Sequence, residues 1–226
     1  MESTQRSGDV SIAVSKQAES ARSWSEGRSH IEVTFLIRLV AYIMATYEAF
    51  DQGVEVNGQT VLTIVEKAMG RFSEAYQERA LQALAAEGIT DPDPEEWYPQ
   101  QTWLNAFETI AEELQPHVLD RLGEQIPTVA TWPNDFDSVP EGLQSIDGAY
   151  QQNHRGGDIG YYEFEQTEDR AGELTCYNPY PCPFDRGLIR GVARQYASLD
   201  TFVFIKETGD TCRRDGDDTC TYTVYW

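Results

Sequence analysis

The sequence predicts an α+β fold, with an N-terminal helical part packed on a C-terminal antiparallel sheet of ββαββ order. Two observations carry this prediction. Apolar residues recur at three- and four-residue steps through the first two thirds of the chain, and beyond Gly160 they give way to short runs rich in Tyr, Thr, Val and Phe. A third sets its scale: 226 residues, 40% hydrophobic and 12% aromatic, are enough for one sizeable core. The expected organisation is a mobile polar tail over residues 1–29 and one ligand-binding domain over 30–226. Within that domain, residues 30–151 form the helical part and 152–226 the ββαββ part.

Each element has its own signal. Residues 1–29 are polar and Ser-rich with no apolar h-region, so a mobile tail is expected and no secretory signal. Residues 32–50 read as a buried helix; Arg38 and Glu48 interrupt its apolar run, which argues against a membrane span. Residues 53–58 read as a turn punctuated by Asn57-Gly58. One long amphipathic helix is expected over 60–86, with Val61, Ile64, Val65, Ala68, Phe72, Tyr76 and Leu84 on its apolar face and Gly88 as its stop. Further helices are expected over 99–114, 117–125 and 141–151, with 132–140 as loop. His154-Arg155-Gly156-Gly157 reads as a turn, followed by strands over 161–166 and 173–177. Asp185 is expected to cap a helix reaching residue 197, and strands over 201–207 and 219–226 close the chain.

Acidic residues outnumber basic ones 38 to 17, for a net charge of −21. That excess argues against a nucleic-acid partner, since phosphate recognition needs a positive footprint. Lysine is nearly absent, with only Lys16, Lys67 and Lys206. This balance resembles proteins that work in concentrated salt, where a hydrated carboxylate surface keeps the chain in solution. A halophilic, cytoplasmic setting is the expectation.

Four groupings could carry chemistry. Cys176, Cys182, Cys212 and Cys220 all fall in the ββαββ part, spaced C-x5-C and C-x7-C. Three readings stay open: a metal site such as zinc with all four as ligands, buried thiols, or disulfides, the last disfavoured inside a cell. His154 and Arg155 precede two glycines, where a tight turn could present amides and a guanidinium to an anion; an ordinary glycine turn is the simpler reading. Residues 177–187 form a rigid elbow of three prolines with Tyr177, Tyr180 and Phe184. Arg186, Arg190 and Arg194 follow it as one stripe, read as a solvated face or an anion site. Trp103 and Phe107 concentrate aromatics on the middle helices, as core or as the wall of a pocket between helices and sheet. The candidate ligand-binding set is therefore His154, Arg155, Tyr180, Phe184, Trp103 and Phe107.

A strand ending in Cys176, the Cys182-bearing elbow, the helix that opens at Asp185-Arg186-Gly187, and Cys212 and Cys220 leading into Tyr222-Thr223-Val224-Tyr225-Trp226 together resemble the 4-vinyl reductase domain family. That family shares its ligand-binding fold with H-NOX sensors and TRAPP subunits. The resemblance implies helices over a small antiparallel sheet, a pocket for a small hydrophobic molecule, cysteines suspected of binding metal, and a sensory or regulatory role. The haem-binding branch carries a Tyr-x-Ser-x-Arg motif, whereas Gln195-Tyr196-Ala197-Ser198-Leu199 lacks the arginine, and His117 has no proximal-ligand character. No haem is therefore expected. No dinucleotide fingerprint supports the family's reductase label.

The leading expectation is a sensory or regulatory module that binds a small apolar or amphipathic ligand. The alternatives are a metal- or thiol-dependent enzyme and a structural protein that dimerises through the edge of its last strand.

Overall fold

A computed structural model of the chain describes residues 46–114, 116–130, 132 and 136–226. The expected tail and nearly all of the expected first helix lie outside the described residues. The last five positions of that helix, 46–50, are irregular rather than helical, and Tyr47 takes a positive φ of 71°.

The segment read as a turn over 53–58 is instead a strand, β1 (Glu55–Asn57), because Val54 and Val56 are core residues. It pairs antiparallel with β2 (Trp97–Pro99) and β3 (His154–Arg155), giving a small sheet of order β2-β1-β3 that short runs of two or three residues hid from the sequence. Asn57 is not a hairpin residue. Its side chain accepts from the Gln59 amide and caps α1 (Gly58–Leu62), which continues as a π-helical stretch, Thr63–Met69. The expected single helix over 60–86 is broken after Met69: a Cβ at Gly70 would lie 2.3 Å from the Glu66 carbonyl oxygen, and Ser73 caps a new start by accepting from the Ala75 amide. The second piece, α2 (Glu74–Ala86), ends at Gly88 with φ 93°, where the Ile89 amide donates to the Leu84 carbonyl.

Helices α3 (Gln100–Glu113), α4 (Pro116–Val129) and α5 (Val139–Asn153) follow much as expected, although α4 runs on through Pro127 in its last turn. The second sheet contains β4 (Tyr161–Glu168), β5 (Ala171–Tyr177), β6 (Phe204–Glu207) and β7 (Cys220–Tyr225). It is antiparallel, with order β4-β5-β7-β6, and α6 (Cys182–Tyr196) lies between β5 and β6 in sequence. The predicted ββαββ order and the α+β class therefore hold. One expectation is corrected: the last strand β7 is interior, and the sheet's edges are β4 and β6.

Two features lock α6 in place. Gly123 on α4 and Gly187 and Gly191 on α6 let the two helices meet backbone to backbone; a Cβ at Gly187 would sit 1.8 Å from the Asp120 carbonyl oxygen. Along the same seam Arg186 and Arg190 pair with Asp120 at 3.1 and 2.6 Å, and Arg194 pairs with Glu124. The arginine stripe is thus neither a bare solvated face nor an anion site, because α4 supplies its carboxylates. Asp185 does not cap α6 either. Pro181 holds the N-cap position, and Asp185 lies fully buried in the first turn.

Candidate ligand cavity and metal centre

A cavity of about 110 Å³ lies where the helical part meets the ββαββ part. Thr63 and Ile64 from the π-helical stretch, Ile126 from α4, Ile146, Ala149 and Tyr150 from α5, and Leu188 from α6 line it together with Trp132, His154, Tyr162, Tyr180 and Phe184. Apolar cavities of this order hold molecules the size of benzene.

Gln59, Thr60, Thr63 and Asn153 add a polar margin in which Thr60 bonds Asn153 and Gln59 bonds Thr63, and a second polar group centres on His154. The Trp103 indole N–H donates to the Tyr180 hydroxyl at 3.2 Å, and that hydroxyl meets His154 Nε2 at 2.9 Å. His154 Nδ1 lies 2.9 Å from the Tyr150 carbonyl oxygen, which can only accept, so Nδ1 carries the proton and Nε2 accepts from Tyr180. This pattern suits a neutral imidazole, and burial pushes the His154 pKa down from 6.5 to about 4. Gln100, fully buried at the start of α3, brings its carboxamide beside the Tyr150 and Tyr180 hydroxyls, yet both its amide atoms lack a well-formed hydrogen bond. No sequence pattern singled out Gln100; its signal is an amide at an interior helix position, visible only once the neighbouring tyrosines are placed.

The cysteines separate into three and one. Cys182 Sγ lies 3.3 Å from Cys220 Sγ and 3.9 Å from Cys212 Sγ, with 3.6 Å between the last two. All four cysteines are buried, free thiols, and Cys176 stands outside the triad although it pairs across the strands with Cys220. The elements explain the convergence: Cys182 opens α6, Cys220 opens β7, and Cys212 sits in the loop just ahead of it. The hydrogen bond shared with Cys182, together with the Arg213 amide and guanidinium, holds the Cys220 thiol down, to about 5. Burial and a hydrogen bond with Glu207 push Cys212 up to about 12, which also places the Glu207 carboxyl next to the triad. Three soft donors with a carboxylate alongside are a ligand set for a thiophilic ion in tetrahedral geometry.

Of the six residues expected at a ligand site, His154, Tyr180 and Phe184 line the cavity. Trp103 and Phe107 are fully buried core behind it, stacked at 5.2 Å, with Trp103 reaching the cavity only through Tyr180. Arg155 points elsewhere: it is exposed, pairs with Glu55 at 2.7 Å and covers the Trp97 ring. The glycine turn after it is real, with Gly156 at φ 92° and Gly157 at φ 145°, the latter against Asp51. Tyr162 and Tyr150 belong to the cavity and were missed as ligand contacts, while Trp132, one of the aromatics around the middle helices that could be core or pocket wall, lines it. Each tyrosine stands in a context that reads as ordinary core.

No family model matches the chain, and no curated protein sequence does. Solved structures do. An H-NOX structure from work on haem distortion matches at TM-score 0.57 and 15% identity, covering 75% of this chain and 94% of that one. An H-NOX protein from S. oneidensis in the Fe(II)NO state matches at TM-score 0.57 and 14% identity, covering 74% and 97%. A mutant H-NOX of T. tengcongensis matches at TM-score 0.56 and 14% identity, covering 75% and 96%. The expectation of no haem, drawn from a missing motif, is contradicted by these neighbours, whose fold this chain shares and which are H-NOX proteins studied with haem. In the described conformation the cavity is smaller than a porphyrin, and its one histidine, His154, is engaged at both ring nitrogens. Among the described residues no helix is long and apolar enough to cross a membrane. The likeness to the solved structures establishes one thing about this chain, that it shares the α+β fold of the H-NOX domains.

Proposed function

We propose that this chain is a sensory or regulatory domain that binds a small apolar or amphipathic molecule in the cavity between its helices and its sheet. The observation that carries the reading is the cavity itself, apolar over most of its wall and provided on one side with His154 and the Tyr180 hydroxyl. An apolar body would replace water against Ile64, Ile146 and Leu188, while a single polar group would exchange hydrogen bonds with the His154–Tyr180 pair. The H-NOX-like fold supports a ligand-binding role at the level of architecture. Kinship with the 4-vinyl reductase domain family belongs to the same proposal and rests on the cysteine-bearing elbow and the aromatic last strand.

The second half of the proposal concerns the triad. Cys182, Cys212 and Cys220 would hold a thiophilic metal ion, and Cys176 would take no part. Such an ion supplies a cross-link between α6, the loop before β7, and β7 itself. A thiol-dependent enzyme is the weaker reading, since Cys220, the one thiol held low, has no exposed surface from which to attack a substrate.

The test is calorimetric titration of the full chain with benzene, chosen for the cavity's size. Saturable binding at one site, abolished by Ala149→Leu, which fills the cavity from α5, is the expected result. Benzene binding that the variant leaves intact, or none in the parent chain, would contradict the proposal.

A further inference from the structure

Arg213 joins the two sites. It follows Cys212 directly, and its amide donates to Cys220 Sγ at 3.2 Å. Its guanidinium, 1% exposed, runs toward the elbow, donating to Asn178 Oδ1 at 2.6 Å and to the Tyr180 carbonyl at 2.8 Å and pairing with the Asp185 carboxylate. Asp185 has no exposed surface, and its other oxygen accepts from the Tyr162 hydroxyl at 2.6 Å. Tyr162 and Tyr180 both line the cavity. An unbroken line of buried polar contacts therefore runs from the triad's own backbone to two residues of the cavity wall.

We propose that metal occupancy of the Cys182–Cys212–Cys220 triad and ligand occupancy of the cavity are coupled through Arg213, each raising the affinity for the other. The inference rests on the function proposed above for both sites and adds their mutual dependence. The loop before β7 meets α6 through the 3.9 Å contact of Cys212 Sγ with Cys182 Sγ, and is shaped by its own turn, in which the Cys212 amide donates to Asp217. An ion on the three thiolates ties that loop to the start of α6, and Arg213, the next residue along, is carried into its slot. With the loop released, the guanidinium leaves. Asp185, to which the Tyr162 hydroxyl donates, then keeps a buried charge with no cation, and the Tyr180 carbonyl loses its donor. A ligand that needs those two walls in place favours the closed loop. Linkage makes the dependence reciprocal.

The experiment uses the reduced full chain, stripped with chelator or loaded with one equivalent of cobalt(II), and benzene as the cavity probe. Cobalt is expected to tighten benzene binding by about fivefold or more, and saturating benzene to tighten cobalt binding by the same factor. Arg213→Leu risks the fold, so the diagnostic variant is Arg213→Lys, which keeps a cation for Asp185 but gives up the fork that also reaches Asn178 and the Tyr180 carbonyl, and lies outside both the cavity wall and the triad. It is expected to bind both probes with a coupling factor below about twofold. Equal benzene affinity with and without cobalt would overturn the coupling and leave both sites standing. Failure of either probe to bind would overturn the coupling together with the reading of the sites beneath it.

Discussion

His154 is kept neutral by its surroundings, and that has a measurable consequence in acid. In the unfolded chain its imidazole titrates near 6.5, whereas in the fold burial holds it down to about 4. Above pH 6.5 neither state carries the proton, and the stability tied to the neutral ring is fully present. As pH falls from 6.5 toward 4, the unfolded chain takes up a proton that the folded chain refuses, so stability is lost. At about 1.4 kcal/mol per pH unit over that interval, the loss approaches ~3 kcal/mol. Many carboxylates titrate over the same range, so the informative quantity is a difference. His154→Asn keeps a donor for the Tyr150 carbonyl but has no proton to gain. Urea unfolding of parent and variant in concentrated salt, at neutral pH and near pH 4, should show the parent losing ~3 kcal/mol more than the variant. Equal losses in the two proteins would mean that His154 is not buried neutral, and the hydrogen-bond chain from Trp103 through Tyr180 would be wrong.

Three further expectations follow from the packing and the triad. Gly187→Ala drives a methyl group into the Asp120 carbonyl at the α4–α6 seam and should destabilise the fold by about 2 kcal/mol or more in urea unfolding, despite alanine's better helix propensity. Arg213→Leu strands the Asp185 carboxylate in the interior and should cost ~3–5 kcal/mol, read as a lowered Tm by circular dichroism. Cobalt(II) should give thiolate charge-transfer absorption at one ion per chain, retained in Cys176→Ser and lost in Cys212→Ser. Equal effects of those two substitutions would dissolve the distinction between the triad and Cys176.

The fold class was readable because long periodic stretches declare themselves: α3, α5 and α6, and the paired strands β4 and β5, lie within a few residues of where the pattern puts them. What stayed hidden was short or set by tertiary contact. Strand β1 has three residues and β3 two, too few to show alternation, and the break at Gly70 is decided by the crowding of the Glu66 carbonyl. The elbow's Tyr180 and Phe184 and the residue His154 were recognisable as unusual chemistry. Tyr150 and Tyr162 look like any core aromatic until the cavity places them. Spacing grouped all four cysteines, and only the register of β5 with β7 and the start of α6 separate Cys176 from the rest. The absence of one short motif carried the expectation of no haem, whereas the likeness to H-NOX structures lies in the arrangement of whole elements, which no short motif reports.

A small ligand bound by this chain belongs in the cavity between helices and sheet. Two-dimensional NMR of the full chain titrated with benzene would locate it residue by residue. Shifts confined to the cavity wall, at Trp132, Ile146, Tyr162, Tyr180 and Phe184, are the expected result. Shifts at the exposed apolar residues Leu199, Phe202 and Phe204, with the cavity wall unmoved, would show that the surface takes the ligand and contradict the central claim.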